Sequence, residues 1–184
     1  VLSGRVSVGK RAAIIGAGGI GFDVAEYLVH EGDSSTLDPA RWMAEWGVDP
    51  SFESRGSLVK PQPEPPAREV WLLQRSAGKP GARLGKTSGW VHRATLKAKQ
   101  VKMLGGVEYL GVDDAGLKIR VGGMEQLLPV DHVVVCAGQE PLRELHDALR
   151  AAGCAVHLIG GADVAAELDA KRAILQGTSL AASI

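Results

Sequence analysis

The chain has 184 residues, 45% of them hydrophobic, with 21 Lys and Arg against 21 Asp and Glu. That length suits one domain, or one domain with a piece of another, and the apolar content is enough for a real core. The zero formal charge excludes the basic footprint of a nucleic-acid or membrane-surface binder, and no apolar run approaches the roughly 20 residues of a membrane span. Residues 12–15 form a short Ile- and Ala-rich run, the pattern of a buried parallel strand. Gly16-Ala17-Gly18-Gly19-Ile20-Gly21 follows, and residues 20–30 read as a helix with Ile20, Val24, Tyr27 and Leu28 on one face. Strand, glycine turn and helix are the context that the dinucleotide fingerprint G-x-G-x-x-G requires. In that motif Gly16 makes the tight turn, Gly18 admits a pyrophosphate, and Gly21 allows close packing of helix and strand.

Residues 31–66 are polar and punctuated by proline. Within them residues 39–46 suit a short helix, with Asp38 as its cap and Pro39 at its first position. Residues 56–66 read as an irregular loop, 70–73 as a second buried strand, 84–89 as a loop, 90–99 as a helix and 101–104 as a short strand. The texture then changes. Residues 107–110, 117–121 and 126–129 alternate around the turn signals at 113–116 and 122–123, which predicts an antiparallel meander. Residues 133–136 form another buried strand ending at Ala137-Gly138, 142–152 a helix, 156–159 a last strand, and a final helix starts near Val164. The expected fold class is α/β: a Rossmann-like, mostly parallel sheet with an antiparallel β-meander.

Cofactor choice rests on the end of the second strand, where NAD-binding folds carry an acidic residue and an arginine instead accommodates a 2′-phosphate. Here that strand ends Leu73-Gln74-Arg75, with Lys79 following. Arg75 is assigned to the 2′-phosphate with Lys79 in support, because an Arg–phosphate pair is charge-assisted and can be bidentate. The alternative is that both are solvated loop cations. Asp33 lies nearer the usual spacing from the glycines, but no strand precedes it; residues 31–66 must therefore loop out between the first two strands. Gly85-Lys86-Thr87 does not complete a P-loop, since the required earlier glycine is Pro80, which lacks a backbone donor.

The five histidines are scattered without metal-ligand spacing, and no nucleophile motif or nearby cysteine pair is present. Cys136 and Cys154, the only cysteines, make no disulfide framework, and a reduced, cytoplasmic protein is the expectation. Cys136, inside a Val-rich run, reads as a small buried apolar side chain. The four tryptophans read as core or domain contacts.

Several blocks then converge. The glycine turn and its continuation to Ala25 occur with Glu45-Trp46-Gly47-Val48-Asp49, Leu73-Gln74-Arg75 and Gly85-Lys86-Thr87-Ser88-Gly89-Trp90-Val91-His92-Arg93. Later come Val135-Cys136-Ala137-Gly138-Gln139-Glu140-Pro141 and His157-Leu158-Ile159-Gly160-Gly161-Ala162-Asp163. Together they resemble bacterial NADPH-dependent 2,4-dienoyl-CoA reductase over nearly the whole chain. The resemblance implies residues 1–141 as an NADPH-binding domain and 142–184 as the last segment of an FAD-binding domain. The FAD domain's own glycine fingerprint, an FMN-binding barrel and a 4Fe-4S cluster are expected upstream of Val1 as partners within the same polypeptide. The expected nucleotide contacts are Gly16, Gly18, Gly19, Ile20, Gly21, Arg75, Lys79 and Gly138, with Asp163 contacting FAD. NADPH would pass hydride to FAD, and electrons would reach a dienoyl-CoA bound elsewhere. A related enoate reductase or amine dehydrogenase flavoprotein, or a non-catalytic NADP-binding module, are the alternatives. The segment 156–159, without its sheet neighbours, is expected to be poorly ordered, repacked or exchanged in a dimer.

Overall fold

Four short apolar runs of the sequence pair into one parallel sheet in the computed structural model, which describes residues 1–166 and 170–184. These are β1 (Arg11–Ile15), β2 (Glu69–Leu73), β3 (Lys102–Leu104) and β7 (His132–Val135), in the order β3-β2-β1-β7. Side chains alternate across a strand, and the two faces separate cleanly. Ala12, Ile14, Val70 and Leu72 point to one face and join Phe22, Val24, Ala25, Leu28 and Leu96 in a buried cluster. That face is covered by α1 (Gly19–Val29) and α3 (Gly89–Ala98). Ala13, Trp71 and Leu73 point to the other face, onto Val107, Leu117, Ile119 and Leu128. Those four come from the antiparallel sheet of β4 (Val107–Asp113), β5 (Gly116–Val121) and β6 (Met124–Leu128). The meander is amphipathic: Lys118 pairs with Asp113, and Arg120 with Glu108 and Glu125, on its outer side. The result is three layers: helices, parallel sheet and meander. They make up a compact unit, Val1–Ala137.

Two expectations for this unit need correction. The inward face of α1 is Gly21, Phe22, Val24, Ala25, Leu28 and Val29, while Ile20 and Tyr27 are each 48% exposed. Gly21 must face the turn it packs against, and this rotates Ile20 outward. The strand β7 is an edge, not a buried strand: Val133 and Val134 are half-buried and Val135 is 69% exposed.

The excursion at 31–66 leaves and returns at one point, because the Ala67 N–H donates to the Val29 carbonyl at 2.9 Å. Its helix α2 (Pro39–Trp46) is capped by Asp38, which accepts from Ala40 and Arg41, with Pro39 at the first turn. The excursion is docked rather than loose. Lys99, at the end of α3, reaches Glu45 at 2.9 Å and the Glu64 carbonyl at 3.2 Å, and both charged side chains are largely buried. Burial alone would raise the Glu45 pKa, but hydrogen bonds from Ser35 and Lys99, with the charges of Lys99 and Arg41, hold it below the ordinary value.

The second compact unit is Gly138–Ile184. It contains α4 (His146–Ala151), the short α5 (Gly160–Asp163) and α6 (Ala170–Ala181). The helix read at 142–152 is shorter, beginning at His146. Residues 156–159 are not a strand: they carry no regular secondary structure and belong to neither described sheet. Val164 to Ala166 are not helical. Glu167, Leu168 and Asp169, part of the expected final helix, lie outside the described residues. No described helix is long and apolar enough to cross a membrane.

Candidate nucleotide-binding site

The carboxyl ends of β1, β2, β3 and β7 lie along one edge of the parallel sheet. The chain turns from β1 toward β2 on one side, while β7 pairs with β1 on the other, so the crevice for a ligand falls between β1 and β7. Gly16 sits there. Its φ is +113°, its N–H donates to the Leu73 carbonyl at 2.8 Å, and a Cβ would lie 2.6 Å from the Cys136 carbonyl oxygen. A side chain is therefore excluded on two grounds, conformation and space. Gly21 is fixed by approach: a Cβ there would lie 1.8 Å from the Gly16 carbonyl oxygen. The helix thus starts directly on the turn.

Gly18 and Gly19 differ. A Cβ on either would meet no described protein atom within 4 Å. Gly18 is the N-cap of α1 with no side chain capping the helix, and the first turn holds no carboxylate. The leading N–H groups of a helix have no acceptor within it, so this end presents donors and a positive dipole toward open space. Ile20 contributes its backbone to this turn, while its side chain is exposed.

Arg75 and Lys79 are both exposed, in the loop following β2, the neighbour of β1. The loop is ordered by contacts that composition did not reveal. The Gln74 side-chain amide donates to the Ser76 carbonyl at 3.0 Å and the Gly78 carbonyl at 3.3 Å. Tyr109 senses the Arg75 charge, and its buried hydroxyl has no hydrogen-bond partner among the described residues. Burial pushes the Tyr109 phenol above its ordinary pKa, and the Arg75 charge partly offsets this.

The block at 85–93 has a packing role. A Cβ on Gly89 would lie 2.7 Å from the Leu84 Cβ, Arg93 donates to the Gly81 carbonyl at 2.8 Å, and a Cβ on Gly81 would press on the Phe22 ring at 2.5 Å. His92 Nδ1 and Glu26 Oε1, 2.8 Å apart, tie α3 to α1. Lys86 and Thr87 are exposed. Of the tryptophans, Trp71 is core at 5% exposed, whereas Trp90 is 60% exposed. Cys136 is half-buried, which pushes its thiol pKa up, and both cysteines are free.

The other two expected contacts belong to the second unit. Gly138 opens it with φ +82°. Asp163 ends α5 in a polar cluster: its carboxylate accepts from Gln176 Nε2 at 3.0 Å, while Gln176 Oε1 accepts the Gly160 N–H at 2.7 Å. Arg143 donates to the Ala162 carbonyl at 2.7 Å and also to the Asp163 carbonyl. Neither Gln176 nor Arg143 stands in a motif, so only the fold could reveal them.

The architecture is a Rossmann-like α/β fold of the FAD/NAD(P)-binding type, with a parallel sheet and an antiparallel β-meander. No family model matches the chain. A metal reductase of Desulforamulus reducens is 27% identical over 164 residues, covering 88% of this chain and 23% of that protein. The fold is shared with 2-naphthoyl-CoA reductase in complex with 2-naphthoyl-CoA, at a TM-score of 0.62 and 20% identity over 96% of this chain and 21% of that one. It is shared also with histamine dehydrogenase from Rhizobium sp. 4-9, at a TM-score of 0.54 and 14% identity over 85% of this chain and 21% of that one. The chain thus spans under a quarter of the length of each of these proteins.

Proposed function

We propose that this chain is the NADPH-binding part of a flavin-linked reductase. The carrying observation is the contrast within the glycine turn: Gly16 and Gly21 are closed off by protein, whereas Gly18 and Gly19 face empty space at an uncapped helix end. A pyrophosphate fits that space, with the first N–H groups of α1 as donors. Arg75 and Lys79 would hold the 2′-phosphate. NADPH, when bound, supplies the hydride; the protein's part is to orient the nucleotide and bring the nicotinamide to its acceptor.

The finer reading draws on the resemblance to 2,4-dienoyl-CoA reductase. Asp163 would then contribute one carboxylate to FAD, already oriented by Gln176. FMN, the iron–sulfur cluster and the acyl-CoA would belong to other parts of the same polypeptide. A protein carrying this chain with such parts should oxidise NADPH when given a 2,4-dienoyl-CoA. Turnover with a metal ion and none with the acyl-CoA would replace this acceptor assignment.

The nucleotide assignment is tested on the chain itself by calorimetry with NADPH and NADH. Arg75→Ala should weaken NADPH by roughly 1.5–3 kcal/mol, the range of a charged hydrogen bond, and leave NADH nearly unchanged. Equal losses would make Arg75 structural. Gly18→Val should abolish binding of both while circular dichroism stays as in the parent chain, because a Cβ at Gly18 meets no described protein atom within 4 Å. A folded Gly18→Val variant that still binds NADPH would remove the pyrophosphate from this turn.

A further inference from the structure

The loop that carries Arg75 and Lys79 is short, exposed and rich in small residues: Ser76, Ala77 and Gly78 separate the two cations. Left to itself such a loop would be mobile, and ordering it on binding would cost backbone entropy. It is not left to itself. The main chain of Gln74 extends the sheet past the end of β2: its N–H donates to the Leu104 carbonyl at 2.9 Å, and its carbonyl accepts from Val107 at 3.0 Å. The position of Gln74 is therefore set by the strand exit of β3 and the start of β4.

From that fixed base the Gln74 amide reaches forward to the Ser76 and Gly78 carbonyls, closing the loop back on the strand. A second support comes from below. The Gly106 N–H donates to the Ser76 carbonyl at 3.0 Å, and a Cβ on Gly105 would lie 2.2 Å from the Gly78 carbonyl oxygen. The loop thus rests on the bare backbone of Gly105-Gly106, a seat that any side chain at 105 would fill. The Ser76 carbonyl takes both the Gln74 amide and the Gly106 N–H, so staple and seat meet at one atom.

We propose that Gln74 is a positioning residue for nucleotide choice: seated on Gly105-Gly106, its amide holds Arg75 and Lys79 ready for the 2′-phosphate before the nucleotide arrives. The inference rests on the NADPH reading above. A preorganised loop binds its phosphate without an ordering cost, and NADH, lacking that phosphate, does not draw on the loop. Gln74 acts through Arg75 and Lys79 and need not touch the nucleotide.

The test uses Gln74→Met, which keeps the length and removes both donors, with NADPH, NADH and 2′,5′-ADP as calorimetric probes on the 184-residue chain. NADPH and 2′,5′-ADP should weaken about tenfold, the value of one or two lost hydrogen bonds, with NADH within about twofold. Adding Arg75→Ala to Gln74→Met should cost less than Arg75→Ala alone, since the arginine is already unseated. Gly105→Ala strikes the same loop from below and should shift the NADPH-to-NADH ratio in the same direction; it decides the matter if Gln74→Met does not fold. Equal weakening of NADPH and NADH, or no change in either variant, overturns the staple while leaving Arg75 in place. A parent chain that binds NADPH no tighter than NADH, with no affinity for 2′,5′-ADP, overturns the NADPH reading and the staple with it.

Discussion

In the first unit Ile14, Phe22, Leu72 and Leu73 are at most 1% exposed, whereas in the second Leu142, Leu145, Ile174 and Leu175 are between 64% and 73% exposed. Among the described residues every buried hydrophobic lies in the first unit. The second is held by polar contacts instead: Gln176 bridging Gly160 and Asp163, Arg143 on the carbonyls of Ala162 and Asp163, and Arg172 on the Val164 carbonyl. A hydrogen bond exchanged against water contributes only about 0.5–1.5 kcal/mol net, while burying one large apolar side chain contributes about 1.5–3 kcal/mol. The two regions are therefore built on different forces, and the second should open at lower free energy.

The largest effect expected from that contrast comes from a pair of leucines. Leu72→Ala removes a side chain enclosed on the helix face of the parallel sheet and should cost about 4 kcal/mol in chemical denaturation. Leu175→Ala, at 64% exposure, should cost no more than about 0.5 kcal/mol. Comparable losses at the two positions would show that the second unit has an apolar interior after all, formed with another copy or another segment.

This contrast also explains what the sequence made legible. The continuous apolar runs at 12–15 and 70–73, and the alternation around the two turns of the meander, announce elements whose faces have a core to enter, and each is found. The run at 156–159 is also mostly apolar but has no partner strand among the described residues, and composition cannot tell a paired strand from an unpaired one. Ile20 misled for a related reason: helical periodicity placed it on the inner face, but Gly21 needs that face to reach the Gly16 carbonyl. The glycine turn was readable because sterics restrict Gly16 and Gly21 to glycine. Gln74, Gln176 and Arg143 were not, because a side-chain amide or guanidinium that bonds a carbonyl leaves no spacing pattern. The excursion at 31–66 hid its anchor similarly, since Lys99 and Glu45 are far apart in sequence and look like surface charges.

That anchor sharpens the comparison, because it is polar yet buried within the first unit. Glu45→Ala would leave the Lys99 ammonium, only 8% exposed, without its carboxylate, and should cost about 3 kcal/mol. Replacing both partners together by Glu45→Leu and Lys99→Met should cost clearly less, because no unpaired charge then remains buried. Denaturation of the two variants measures the difference. A double variant as unstable as the single one would mean that the excursion is held by the specific bonds from Lys99 to Glu45 and Glu64, and that burial has little part in it.

The smallest effect belongs to the middle of the same excursion, where Asp49, itself only 8% exposed, is held by local hydrogen bonds and not by an ion pair. Its carboxylate accepts from the Ser51 hydroxyl at 2.6 Å, the Ser51 N–H at 2.9 Å and the Ser54 N–H at 2.7 Å. Hydrogen bonds from Ser51, foremost its hydroxyl, and from Ser54 hold the carboxyl far below its ordinary pKa of 3.8. A group depressed in the folded state stabilises fully above its unfolded pKa and loses that contribution as pH falls through the folded value. Protection of the Ser51 and Ser54 amides against hydrogen exchange, corrected for intrinsic rate, should therefore be flat above about pH 5 and decline only in strong acid. Asp49→Asn should lower that protection at neutral pH and flatten its acid dependence, while the amides of β1 and β2 stay unchanged. If those sheet amides lose protection in step with Ser51 and Ser54, the excursion and the sheet unfold as one. The distinction between polar-anchored and core-anchored regions would then hold only between the two units and not within the first.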